Sequence, residues 1–122
     1  MKKIINSIRK NFRSYTYALN GIWITLKQEN NFKIHILGGL IAIFLSFYLE
    51  INSSSWVIIT TMIGLVLSIE LLNTAIEKLA DIVQPNKHPE IGIVKDIAAG
   101  AVFIISITSL IVGIIIFGGR LI

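Results

Sequence analysis

Glu70, Asn73, Glu77 and Asp81 recur along this chain at spacings of three, four and four residues. At about 100° per residue, all four fall on one face of a helix. They continue without a break from the apolar run Trp56–Ile69, so the stripe lies where a membrane helix meets water. An ionisable side chain in such a segment is expensive and marks a functional site by default. The plainer alternative is a membrane helix that ends in a solvated acidic face. It fits Glu70 and Asn73 least well, because they lie furthest back in the apolar run. Glu29 upstream and Lys95 and Asp96 downstream join the same end of the molecule if the chain crosses the membrane as set out below.

Carboxylates gathered in one place repel one another unless a cation lies among them. A hard divalent ion such as Mg²⁺ takes oxygen ligands, often one or two carboxylates together with substrate phosphates. Lys95 can meet a phosphate as a point charge. Nucleotide, metal and a membrane-facing carboxylate together suit phosphoryl transfer to a lipid hydroxyl. That chemistry needs positioning, charge neutralisation and a group to accept the hydroxyl proton. The chain contains no G-x-x-x-x-G-K-[ST], no Gly-rich kinase loop and no H-R-D, which excludes a P-loop or protein-kinase site.

The elements that position these residues follow from composition and periodicity. With 122 residues, 54% of them hydrophobic, and a mean hydropathy of +0.78, the chain is one domain and too apolar for a small soluble one. Without cysteine it has no disulfide and no thiolate metal site. The net charge is +4, and ten of the eleven Lys/Arg lie within residues 2–33 and 78–95. Nucleic-acid binding would account for the charge but not for the long uncharged segments, whereas a membrane protein with basic cytoplasmic parts accounts for both. No cleavable signal peptide is visible, so the first membrane helix is expected to direct insertion.

Residues 1–30 read as an amphipathic helix. Ile4, Ile8, Phe12, Tyr15, Leu19, Ile22 and Leu26 recur at three- and four-residue spacing, with Lys2, Lys3, Arg9, Lys10, Arg13 and Lys27 among the rest. A basic helix with an aromatic-rich apolar face suits the membrane surface. The first membrane helix is expected over 32–50, with Lys33 snorkelling and with Gly38, Ala42 and Ser46 as a small-residue ridge. His35 reads as an interfacial histidine, not a metal ligand. A polar turn leads to the second membrane helix over 56–83, opened by Trp56. Residues 84–95 are expected to form a cytoplasmic loop, broken by Pro85 and Pro89 and made basic by Lys87, His88 and Lys95. The third membrane helix is placed at 96–119, with Asp96 as its cap. The N-terminus and the 84–95 loop then face the cytoplasm, and the C-terminus lies outside.

The segments ELLNTAIEKLAD and KDIAAGAV resemble the small bacterial integral-membrane diacylglycerol kinase/undecaprenol kinase family. Its pattern E-x-x-N-[ST]-A-I-E-x-x-x-D, a short loop and K-D-x-A-[AG]-[AG]-A-V is present in full, and YALNGIWITLKQENNFKIH resembles its N-terminal block. The resemblance implies an all-α homotrimer, each subunit with a surface helix and three membrane helices, sharing active sites between subunits in the bacterial cytoplasmic membrane. It implies Mg-ATP as donor and a lipid alcohol as acceptor. By position, Glu70 is the base, Asn73 supports it, and Glu29 and Glu77 hold metal. Tyr17, Glu29, Glu77, Asp81, Lys95 and Asp96 fall on the nucleotide side, with Lys10, Arg13, Asn86, Lys87 and His88 as further contacts. The NFKIH and NTAIEKLAD forms look more like the undecaprenol-kinase branch, which makes undecaprenol the expected acceptor and diacylglycerol the alternative. A multidrug-transporter-like protein of this length would need four spans, and three are counted. A purely structural membrane subunit would leave the clustered carboxylates unexplained.

Overall fold

The structure is a computed structural model that describes all 122 residues. The chain forms four helices and no strands: α1 (Lys2–Gln28), α2 (Asn30–Tyr48), α3 (Ser53–Val83) and α4 (Pro89–Leu121). α2, α3 and α4 are each long and apolar enough to cross a membrane. α3 is the central helix: it touches the other three, and its contact with α4 is the most extensive.

α1 is amphipathic, as its spacing predicts, but it hardly packs on the bundle. Every residue from Met1 to Trp23 is exposed, and burial begins only at Ile24 and Thr25. Its end is tied down by Lys78 of α3, whose Nζ donates to Gln28 Oε1 at 2.7 Å. The chain turns at Glu29, an extended residue (φ −109°, ψ 113°) that is at once the C-cap of α1 and the N-cap of α2. Its carboxylate makes no capping bond and is therefore free for other work.

α2 and α3 run antiparallel, joined by a short turn in which Glu50 takes φ 50°. Asn52 caps α3 by accepting from the Ser55 N–H at 2.9 Å. Two contacts set the register. At the turn end, Phe47 and Trp56 meet edge to face with centroids 4.7 Å apart. Mid-helix, Gly39 lies so close to α3 that a Cβ there would stand 3.2 Å from Ile63 Cγ2. Phe32, Ser46, Ile59 and Val66 are buried along this seam. Ser46 satisfies its hydroxyl within its own helix, donating to Ala42 O at 2.7 Å.

α4 begins earlier than its sequence suggests. Pro89 does not end a loop: it occupies the first turn of the helix, where its fixed φ and missing N–H cost nothing. The cap is His88, whose Nδ1 accepts from the Glu90 N–H at 3.2 Å, and not Asp96. The connection expected over 84–95 shrinks to residues 84–88, and Lys95 and Asp96 sit inside a helix. At the far end Arg120 Nε donates to Leu49 O at 2.8 Å, fastening α4 to the end of α2. Elsewhere α2 and α4 meet little. The gap between them, floored by α3, is a groove of about 720 Å³ lined mostly by hydrophobic side chains. Outward-facing Leu37, Phe44, Phe103, Ile104 and Ile115 are exposed on the bundle, as lipid-facing residues must be.

Candidate functional site

Glu70 is the centre of the site. It sits on α3 at 2% exposure, among the most buried residues of the chain. Its Oε2 is shut off from solvent and accepts no hydrogen bond. His35 Nε2, from α2, stands 3.5 Å from that oxygen. The antiparallel register explains the meeting. Gly39 faces Ile63, so His35, one turn back along α2, and Glu70, two turns on along α3, lie on the same side of that contact, near enough for their side chains to meet. This pairing escapes sequence reading, because the partners are far apart in the chain and only the α2–α3 seam brings them together.

One turn on, Asn73 Nδ2 donates to Glu77 Oε1 at 3.4 Å, and Asn73 Oδ1 is buried without a partner. Glu77 is half-buried, and Thr74 between them is 4% exposed. The α1–α2 junction, which carries Glu29, is held to α3 by the Lys78–Gln28 hydrogen bond. Asp81 continues the stripe into an exposed region, where its Oδ1 pairs with Lys95 Nζ of α4. Asp96 is exposed on α4, and Asn86 and Lys87 are exposed in the connection. Lys10, Arg13 and Tyr17 lie on the exposed stretch of α1, and neither Lys10 nor Arg13 makes an ion pair. Within one chain the structure sets Glu70 against His35, joins Asn73 to Glu77 and pairs Asp81 with Lys95. It does not bring Lys10, Arg13 or Tyr17 to them.

The sequence pattern of the prokaryotic diacylglycerol kinase family matches residues 16–117, a stretch that contains both the acidic stripe and the Lys95–Asp96 pair. The chain belongs to that family. Among curated proteins it is 38% identical to an undecaprenol kinase of Bacillus subtilis, across 92% of this chain and 91% of that one. It is 34% identical to a diacylglycerol kinase of Synechocystis sp., across 82% of this chain and 58% of that protein. It is 27% identical to a diacylglycerol kinase of Escherichia coli, across 78% of each.

For a member of the diacylglycerol kinase family, the donor set matters as much as its position. No three His, Asp or Glu side chains close on a single point. Mg²⁺ does not require such a cage, because it keeps waters and substrate phosphates in its shell. The oxygens on offer suit it. Asn73 Oδ1 is buried and unclaimed, Glu77 is half-buried beside it, and the Glu29 carboxylate is uncommitted.

Proposed function

We propose that the protein transfers the γ-phosphoryl group of ATP to the hydroxyl of undecaprenol at the cytoplasmic face of the bacterial membrane. A lipid alcohol kinase is what family membership supports. The observation that carries the site assignment is the buried Glu70 carboxylate, with an unpartnered oxygen, at the inner end of a membrane helix. In the reaction the lipid oxygen attacks the γ-phosphorus, the bond to the β-phosphate oxygen breaks, ADP leaves, and the hydroxyl proton goes to Glu70. Glu29 and Glu77 would hold Mg²⁺, which supplies charge neutralisation on the phosphates when bound. Asn73, which donates to Glu77, would support the site by hydrogen bonding. Lys95, exchanging Asp81 for phosphate, would steady the nucleotide together with Asp81 and Asp96. Tyr17, Lys10 and Arg13, with Asn86, Lys87 and His88, would complete its surroundings in a homotrimer.

The lipid route is supported by the groove between α2 and α4, which borders His35. Its apolar walls accept a hydrocarbon chain from the bilayer and bring the polar head towards the Glu70 end. Undecaprenol is favoured over diacylglycerol by the greater likeness to the Bacillus subtilis undecaprenol kinase than to the diacylglycerol kinases above. The deciding experiment is transfer of labelled phosphate from ATP to each lipid in one membrane mimic. A clear preference for diacylglycerol in kcat/KM would replace the acceptor, and transfer to neither would overturn the assignment.

A further inference from the structure

The mechanism above leaves His35 without a task, and its placement assigns one. Glu70 is 2% exposed, and His35 is the only basic side chain in contact with it. A buried carboxylate oxygen with no donor is costly and calls for an explanation. His35 Nε2 stands 3.5 Å from that very oxygen, Oε2. Closing by roughly 0.5 Å would make a hydrogen bond of ordinary length. Hydrogen bonds of catalytic groups are often this loose before substrate binds. The helix that carries the ring is held on both sides. Phe32, buried one turn earlier on α2, and the Gly39–Ile63 contact one turn later fix the helix against α3. The ring also borders the groove, beside Ile34 and Gly38. His35 thus touches both the buried carboxylate and the groove.

We infer that His35 is a positioning residue for Glu70: its Nε2–H turns to Oε2 and fixes the carboxylate, leaving Oε1 to take the proton of the acceptor hydroxyl. The inference rests on the reading of Glu70 as the base. It distinguishes His35 from a residue that merely plugs the end of the groove. A plug acts through its volume and its contact with the lipid chain. A positioning donor acts through one N–H and only while Glu70 is a carboxylate.

The test uses the full chain in nanodiscs, with His35→Leu, His35→Gln, Glu70→Gln and the His35→Leu/Glu70→Gln double variant. A misplaced base costs on the order of 100-fold in rate. His35→Leu should therefore lower kcat about 10–100-fold with KM for ATP and lipid unchanged. His35→Gln, which keeps an N–H donor, should recover most of that loss. His35→Leu should cost nothing more once Glu70→Gln is present. With only two histidines in the chain, the ¹⁵N resonance of His35 Nε2 can be identified by its loss in His35→Gln, and it should shift in Glu70→Gln. A His35→Leu enzyme with unchanged kcat, or with its defect confined to KM for lipid, overturns the inference. So does an Nε2 resonance indifferent to Glu70→Gln, a measurement that needs no folded His35→Leu protein. If Glu70→Gln is inactive while His35→Leu is unimpaired, the inference alone falls. If Glu70→Gln turns over normally, the assignment of the base falls and the inference falls with it.

Discussion

Glu70 and Glu77 lie two turns apart on α3, but their surroundings differ. Glu70 is buried against α2, and in the proposed reaction a lipid hydroxyl meets it from the bilayer. Glu77 is half-buried and bonded to Asn73, closer to the α3–α4 connection. Loss of a general base costs about 10²–10⁴-fold. Glu70→Gln is therefore expected to abolish most phosphoryl transfer in a protein that still folds and binds ATP, as phosphate transfer and nucleotide titration would show. Glu77→Gln and Glu29→Gln should instead weaken Mg-dependent ATP binding, by about 10–100-fold if each removes a charged contact of ordinary strength. Glu90, an exposed residue in the first turn of α4, is the control. Calorimetric titration should find Glu90→Gln binding Mg-ATP normally, and equal losses at Glu90 and Glu77 would remove the metal assignment.

At the scale of elements, the α2–α3 seam matters most, because it decides whether His35 and Glu70 meet. Gly39 is its tightest point, with Ile63 Cγ2 3.2 Å from where a Cβ would be. A leucine there must force the helices apart, and overpacking of this kind costs about 1–3 kcal/mol. Gly39→Leu should lower the thermal midpoint and also reduce transfer, since separating the helices withdraws α2 from Glu70. Gly64, where a Cβ meets nothing within 4 Å, should accept alanine with neither effect. Thermal unfolding and transfer assays on the two variants would show the contrast. The seam also explains what sequence reading could and could not see. The helices themselves were legible, because apolar runs and three/four spacing are properties of contiguous residues. The stripe from Glu70 to Asp81 was legible for the same reason, since a helix places those residues on one face whatever surrounds it. The Glu70–His35 contact depends on antiparallel register, which a single glycine and one aromatic pair set between distant segments. The start of α4 was misplaced because proline reads equally as a breaker and as a first-turn residue. What decides between them is the cap, a histidine in place of the usual Ser, Thr, Asp or Asn.

At the scale of the whole molecule, charge decides which way the site faces. Lys2, Lys3, Arg9, Lys10 and Arg13 are all exposed on α1, free to lie against an anionic membrane surface, as a basic amphipathic helix does. Lys27 and Lys33 flank the α1–α2 junction, and Lys78, Lys87 and Lys95 flank the α3–α4 connection. α2 and α3 run antiparallel, so these two groups lie at the same end of the bundle as Glu29 and Glu77. Arg120 alone is at the other end, bonded to Leu49 O. An excess of Lys/Arg in short flanking segments is expected to hold that end in the cytoplasm, where ATP would reach the stripe without crossing the bilayer. The arrangement predicts the side of every exposed segment. One span, α4, separates Asn86 from the C-terminus, and two, α2 and α3, separate α1 from Asn86. A cysteine introduced at Asn86 should react only with reagents that enter the cell, as should one at Asn6. A cysteine at Asn52, in the turn between α2 and α3, and one at the C-terminal Ile122 should be labelled from outside. The chain has no cysteine of its own, so each signal is unambiguous. Labelling of Asn86 and Ile122 from the same side would contradict α4 as a span, and labelling of all four positions with sides exchanged would put the kinase site away from its nucleotide.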